Sequence, residues 1–236
     1  MFEAITKPET LHLMYRVAFA AGLLVAAGIA IRGRIAATNG GIVPDEGMSL
    51  RNVFEVIVEA LTSLARDNMG PEWKKWFPFV GTMFFFILIS NLMGLIPHVG
   101  GATSNVNTTT AWAIISYGLF NYVGIREHGW KYIIKYMGPS FGDVHLFGKH
   151  LHVRALAPLF LILEIPLDFA RIITLSIRLL ANMFADHTVV SVFLLMLPYG
   201  IPAIFLGLGM LVCVLQAFVF SLLTMIYINI ALQEAH

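Results

Sequence analysis

Apolar residues gather along this chain in blocks long enough to cross a bilayer, separated by short polar stretches. A crossing needs roughly 20 predominantly apolar residues, fewer where interfacial anchors flank them. Residues 15–31, 76–96 and 110–125 qualify, and from 155 to 232 the chain is apolar almost without pause. Between the first two blocks, Leu50, Val53, Phe54, Ile57, Val58, Leu61 and Leu64 recur at three- and four-residue steps. That period predicts an amphipathic helix over 50–66, lying along the membrane surface or against a partner. Residues 97–109 read as an uncharged loop rich in Gly, Ser, Thr and Asn. Residues 126–154 read as a second loop, with Trp130 and several Tyr placed for the interface.

The final apolar region is too long for upright crossings. Residues 155–197 would span about 65 Å as a helix rising 1.5 Å per residue, against a hydrocarbon core about 30 Å thick. Pro166 suggests a kink, but no turn cluster divides the segment. The helix must therefore tilt steeply or run partly in the membrane plane. Leu197-Pro198-Tyr199-Gly200-Ile201-Pro202 reads as a turn, after which 204–232 returns as a second long apolar helix. The expected fold is an all-α integral membrane protein, one polytopic domain over 1–236. It has about five membrane-crossing helices, the last two a long, strongly tilted, near-horizontal hairpin, plus the amphipathic surface helix.

Composition supports the membrane reading: the chain is 58% hydrophobic and only 12% charged, with a mean hydropathy of +0.79. Soluble domains carry about 25% charged residues, so a soluble enzyme is disfavoured. A net charge of +1 gives no field for nucleic acid. The charges also assign sides. Lys and Arg occupy positions 32, 34, 51, 66, 74 and 75 in one loop and 126, 131, 135, 149 and 154 in another. None occurs in 97–109 or 188–202. The basic loops are then cytoplasmic, with the N-terminus outside and the C-terminus inside. Arg32 and Arg34 follow the first apolar block where a cleavage site would lie, so that block reads as a retained span. Cys213 lies in an apolar run with no cation nearby and reads as a small buried residue.

Charges inside apolar helices are expensive and mark ion paths or buried pairs. Glu164, Asp168, Arg171, Arg178, Asn182 and Asp186 are spaced by 4, 3, 7, 4 and 4 residues. At 100° per residue all six fall within a wedge of about 80° on one helix face. Arg178 is too central to snorkel and does not release its proton. Its nearest acids on the same segment lie at offsets of −10, −14 and +8, beyond i±4 reach. Neither 204–232 nor 77–125 contains an acid, so the inferred counter-charge is a carboxylate on another molecule. A fixed cation facing a titratable carboxylate on a moving partner handles protons: it favours the ionised form, and departure into lipid requires protonation. Glu164, Asp168 and Arg171 would line access from one side; Asn182, Asp186 and His187 from the other. His187 titrates near neutral pH when unperturbed, which suits a relay. Gln216, in the returning helix, shares a face with Gly209 and Tyr227. Asn91, Gly94 and Pro97 are read as packing residues without chemistry.

At these residues the chain resembles subunit a of the F-type ATP synthase, the stationary partner of a proton-driven c-ring. The likeness rests on Ile173-Thr174-Leu175-Ser176-Ile177-Arg178-Leu179-Leu180-Ala181-Asn182-Met183-Phe184 and on Leu215-Gln216-Ala217-Phe218 with its continuation to Tyr227. Asn91-Leu92-Met93-Gly94-Leu95-Ile96-Pro97 and Asn105-Val106-Asn107-Thr108-Thr109 add weaker matches. The resemblance implies that Arg178 is the arginine facing the ring carboxylate, with Asn182 and Gln216 beside it. It implies channel roles for Glu164 and His187, with Asp186 at the outer relay; Asp168, Arg171, Thr174 and Tyr227 are candidate channel lining. It implies the c-ring, peripheral-stalk b subunits and the lipid bilayer as partners, a bacterial-type cytoplasmic (inner) membrane, and no cofactor or metal. Three positions depart from the family pattern: Asn105 stands where Asp is common, Asp186 where Gly is common, and Gly209 where some relatives carry a titratable residue. The alternative is a stand-alone secondary transporter, which would need an internal repeat and counter-charges within the chain. An intramembrane enzyme is disfavoured by the absence of H-E-x-x-H and of converging acids.

Overall fold

The structure, a computed structural model, describes residues 8–37, 50–96, 101–129, 143–146, 149–152, 157–196 and 200–233. Six long helices dominate it: α1 (Pro8–Ala37), α2 (Leu50–Met69), α3 (Trp73–Gly94), α4 (Val106–His128), α5 (Ala157–Met196) and α6 (Ile201–Gln233). Short 3₁₀ turns, Gly70–Glu72 and Ala102–Ser104, precede α3 and α4. Four stretches are long and apolar enough to cross a membrane: Thr10–Gly33, Arg51–Gly94, Phe169–Met196 and Ala203–Leu232. The Asn, Thr and Tyr positions of α4 leave it less apolar than these, although its 23 residues span about 35 Å. The α5 helix runs unbroken for 40 residues through Pro166. Gly200 (φ +85°) adopts the left-handed turn conformation before α6; positions 197–199 of the expected turn lie outside the described residues, as do Pro97 and Trp130.

One regular element is not helical. Within the expected loop 126–154, β1 (Asp143–Leu146) and β2 (Lys149–His152) form an antiparallel hairpin with Leu146 opposite Lys149 and Asp143 opposite His152. Four-residue strands inside a polar loop carry too little periodicity to stand out from the sequence.

The core forms where α3 packs among α2, α4, α5 and α6. Val80, Met83, Phe84, Ile87 and Leu88 of α3 are buried with Phe120 and Val123 of α4, Leu175 and Leu179 of α5, and Phe220, Met225 and Ile228 of α6. The amphipathic helix joins this core: Leu61, Ala65 and Met69 are buried, and α2 packs on α3 and α6. Its buried face is rotated from the expected one, since Val53 and Val58 are exposed while Arg51 is buried and bonds Glu55. The reason is tertiary: the supporting surface comes from α6, far away in sequence. By contrast α1 meets the bundle through Ala20, against Phe86 and Met93, and leaves Tyr15, Phe19, Val25 and Ile29 exposed.

Polar groups stitch the helices. The Ser116 and Thr224 hydroxyls lie 2.9 Å apart, and the Ser176 hydroxyl lies 3.2 and 3.0 Å from those of Thr109 and Thr110. In hydrocarbon such bonds supply association energy that apolar contact alone does not. His128 Nε2 sits 3.1 Å from the Ala231 and Leu232 carbonyl oxygens; carbonyls only accept, so Nε2 carries the hydrogen and caps the end of α6. At the polar ends of α3 and α4, Lys75 Nζ lies 2.8 Å from Glu127 Oε1 and 3.2 Å from Glu72 Oε2. These bonds raise the Lys75 pKa and lower that of Glu127. The Glu127 contact is therefore fully present above the usual carboxylate range and is lost only as pH falls through the lowered pKa, below that range.

Packing at Ala65 gives a direct test of where α2 sits. Ala65→Leu should destabilise the chain by about 1–3 kcal/mol, through overpacking, while Ala60→Leu on the exposed face should be nearly neutral. Thermal aggregation midpoints of the detergent-solubilised variants measure the difference; equal midpoints would place α2 away from the core.

Candidate functional site

The polar positions of α5 lie beside its buried stripe. Leu175, Leu179 and Met183 are buried at four-residue steps. Each follows a polar residue by one position: Thr174, Arg178 and Asn182. One residue is 100° of helix, so the polar stripe flanks the packed face. Arg171, Arg178, Asn182, Asp186 and His187 are accordingly half-buried, and Thr174 is exposed, with its hydroxyl donating to the Ala170 carbonyl. Next to this stripe, Ile173, Ile177 and Phe184 stand exposed, an apolar surface without a partner among the described residues. Glu164 and Asp168 occupy the α5 backbone, but their side chains lie outside the described residues.

Two clefts open along the stripe. The larger, about 230 Å³, is lined by Leu167, Ala170, Arg171, Thr174, Leu175, Arg178, Leu223 and Tyr227. That volume is ample for several water molecules. Its guanidinium groups come from Arg171 and Arg178, and Arg171 stands over the Tyr227 ring, 5.1 Å from the centroid. Tyr227 also meets Phe120 at 5.9 Å between ring centroids, so the aromatic floor is anchored in the core. Arg178 has no carboxylate within ion-pair distance among the described residues.

The smaller cleft, about 50 Å³, lies farther along α5 and is lined by Gly94, Leu95, Asp186, His187, Val190, Ser191 and Leu194. Asp186 Oδ2 is buried there without a hydrogen-bond partner among the described residues. The absence of a side chain at Gly209 matters here: a Cβ on it would lie 3.7 Å from the Asp186 carboxyl carbon and 2.8 Å from Leu95 Cδ2. Phe193 of α5 and Phe205 of α6 stack at 4.2 Å and close the hairpin beyond this cleft.

Between the clefts a hydrogen bond joins the two helices, Asn182 Nδ2 donating to Gln216 Oε1 at 2.7 Å. Gln216 is 5% exposed, and its Nε2 has no partner among the described residues. A buried donor left unpaired costs about 1–3 kcal/mol.

The structure thus gathers Arg171, Thr174, Arg178 and Tyr227 around one cleft and Asp186 and His187 around the other, with Asn182 and Gln216 between. No hydrogen bond joins Asp186 to His187 among the described residues. Sequence reasoning missed Ser191 and Leu95 as lining residues. Ser191 was findable, four residues after His187 on the same face; Leu95 was not, since only the fold brings the end of α3 to α5. Asn91, read as packing, accepts a 2.7 Å hydrogen bond from the buried Thr103 hydroxyl. Cys213 is buried, as its apolar surroundings predict.

Comparison with known proteins gives this geometry its family. The model of the ATP synthase A chain family matches residues 15–229. ATP synthase subunit a of Bdellovibrio bacteriovorus is 37% identical over 213 residues, covering 90% of this chain and 87% of the relative. ATP synthase subunit a 1 of Syntrophotalea carbinolica is 37% identical over 214 residues, covering 91% and 82%. ATP synthase subunit a of Sorangium cellulosum is 36% identical over 231 residues, covering 98% and 84%. With its long α5–α6 hairpin and a match over nearly its whole length, the chain belongs to the ATP synthase A chain family.

Proposed function

We propose that this chain is the stationary, ion-conducting subunit in the membrane sector of an F-type ATP synthase. It faces a ring of carboxylate-bearing c subunits, contacts peripheral-stalk b subunits, and performs no nucleotide chemistry itself. It lies in a bacterial cytoplasmic membrane with its N-terminus outside and its C-terminus in the cytoplasm, as the basic loops indicate. Family membership supports the membrane-sector assignment.

One observation carries the mechanism: Arg178 lines a cleft roomy enough for several waters, with no carboxylate in ion-pair reach among the described residues, beside exposed Ile173 and Ile177. A guanidinium is always protonated and needs an opposite charge in a low-dielectric site. A ring carboxylate arriving there is held ionised. Leaving for lipid, it must first take a proton, because a bare charge in hydrocarbon costs several kcal/mol. The two clefts supply separate access: Arg171, Thr174 and Tyr227 on the cytoplasmic side, Asp186 and His187 on the outer side. A cation fixed between them repels hydronium, so protons do not run directly from one cleft to the other. They cross by riding the ring, and net flow in one direction turns it. Glu164 and Asp168, earlier on α5, extend the cytoplasmic route.

Replacing Arg178 by Ala should abolish ATP-driven proton uptake into inverted membrane vesicles while the complex still assembles; wild-type uptake in that variant sinks the mechanism. The outer relay is tested by Asp186→Asn combined with His187→Ala, which should slow proton flux and displace its pH profile. An unchanged profile would make both residues structural. For the bridge between the clefts, Asn182→Ala should cost about 1–3 kcal/mol because it leaves both ends of the Gln216 amide unpaired. The double change Asn182→Leu, Gln216→Leu should recover much of that stability without recovering proton uptake, which separates the packing role of the pair from its conducting role.

A further inference from the structure

Helices surrounded by lipid slide along one another easily unless something fixes their height, because the hydrophobic effect does not discriminate helix from lipid tail. On α5 the height decides whether Arg178 and Asn182 face Gln216. The structure assigns that task to Met183: its terminal methyl, seated in a slot between Gly94 and Gly101, is the axial stop of α5. Met183 is a positioning residue, and the inference rests on the ion-conducting reading of Arg178.

The slot is built from backbone. Gly94 ends α3, and Gly101 opens the 3₁₀ turn that follows. The two meet again in space: a Cβ on Gly101 would lie 3.1 Å from the Gly94 Cα, and one on Gly94 would lie 3.4 Å from the Gly101 Cα. Between them sits Met183 Cε, which a Cβ on Gly94 would overlap and which a Cβ on Gly101 would approach to 2.8 Å. The Ser90 carbonyl oxygen closes the slot, 2.7 Å from a Cβ on Gly101. Only two residues without side chains leave this space.

The slot is also rigid. Thr103 bonds Asn91 at 2.7 Å with both residues buried, and the Ser104 hydroxyl donates to the Gly101 carbonyl at 2.6 Å. Asn105 then caps α4 through the Asn107 amide at 2.9 Å. Met183 itself is 2% exposed and directly follows Asn182. An unbranched thioether is the side chain able to thread a methyl into so narrow a gap. Shifting α5 along its axis would pull the methyl out, and with it the Asn182–Gln216 bond.

The two glycines differ in a way that makes the idea testable. At Gly94 the severe obstacle is the Met183 methyl, the far end of a flexible side chain. At Gly101 a backbone oxygen obstructs as well. Gly94→Ala should therefore reduce ATP-driven proton uptake per assembled complex on the order of tenfold, the scale expected of roughly ångström misplacement. Met183→Ala alone removes the stop and should lower uptake per complex by a similar factor. Added to Gly94→Ala it relieves the clash but leaves uptake at the level of Met183→Ala alone, and it should not relieve Gly101→Ala. Uptake is read per complex, by quantifying the chain in the same vesicles, with its pH profile recorded for each variant. If Gly94→Ala fails to assemble, Met183→Ala should restore assembly. Wild-type uptake with a wild-type pH profile in Gly94→Ala or in Met183→Ala overturns the assignment. Arg178→Ala serves as the control: a dead Arg178→Ala with a normal Gly94→Ala defeats this inference alone, whereas a pumping Arg178→Ala defeats the conducting role beneath it.

Discussion

A guanidinium cannot shed its charge, and that constraint organises the α5–α6 hairpin. An Asp or Glu in hydrocarbon can neutralise itself by taking a proton; Arg178 has no such exit. It must keep water on one side and meet an anion on the other. The structure gives it a cleft and an open apolar flank. The buried stripe one residue away at Leu175, Leu179 and Met183 holds the helix from behind, so the charge is presented at a boundary and never engulfed. An engulfed guanidinium would need a buried partner, and in the proposed mechanism a permanent partner would leave nothing for a ring carboxylate to do.

Holding that boundary steady is the work of polar contacts between helices. Ser116 with Thr224, Ser176 with Thr109 and Thr110, Asn91 with Thr103, and Asn182 with Gln216 each bind two segments distant in sequence. They run from one end of the bundle to the other. Each is directional, so together they specify rotation and reinforce the height set at Met183, where apolar packing elsewhere specifies only proximity. The contrast with α1 is instructive: it presents chiefly Ala20 to the bundle and keeps most of its surface for other company.

Much of this was legible in the chain. The length of the last apolar region already required an unusual hairpin, and the spacing of Arg171, Arg178, Asn182 and Asp186 already put them on one face. Periodicity along one helix captures such features because the cause is local. It misses those whose cause is a neighbour from elsewhere. The rotation of α2 follows from its seat on α6, the lining role of Leu95 from the approach of the α3 terminus to α5, and the value of Gly94 and Gly101 from a loop that brings them together. The hairpin at 143–152 escaped because its four-residue strands are the shortest runs in which alternation can be read, set in a polar loop.

The offset between the two stripes of α5 also constrains how this helix can change over time. Insertion or deletion of one residue within it would turn everything beyond that point by 100°. A deletion before Arg178 would bring Leu179 to its place, and an insertion there would carry Arg178 onto the packed position of Leu179. Substitutions can be absorbed singly, but a change of length cannot. The distance along the chain from Arg171 to Asp186 should therefore be among the least negotiable quantities in this protein's descent, even where the side chains between them drift.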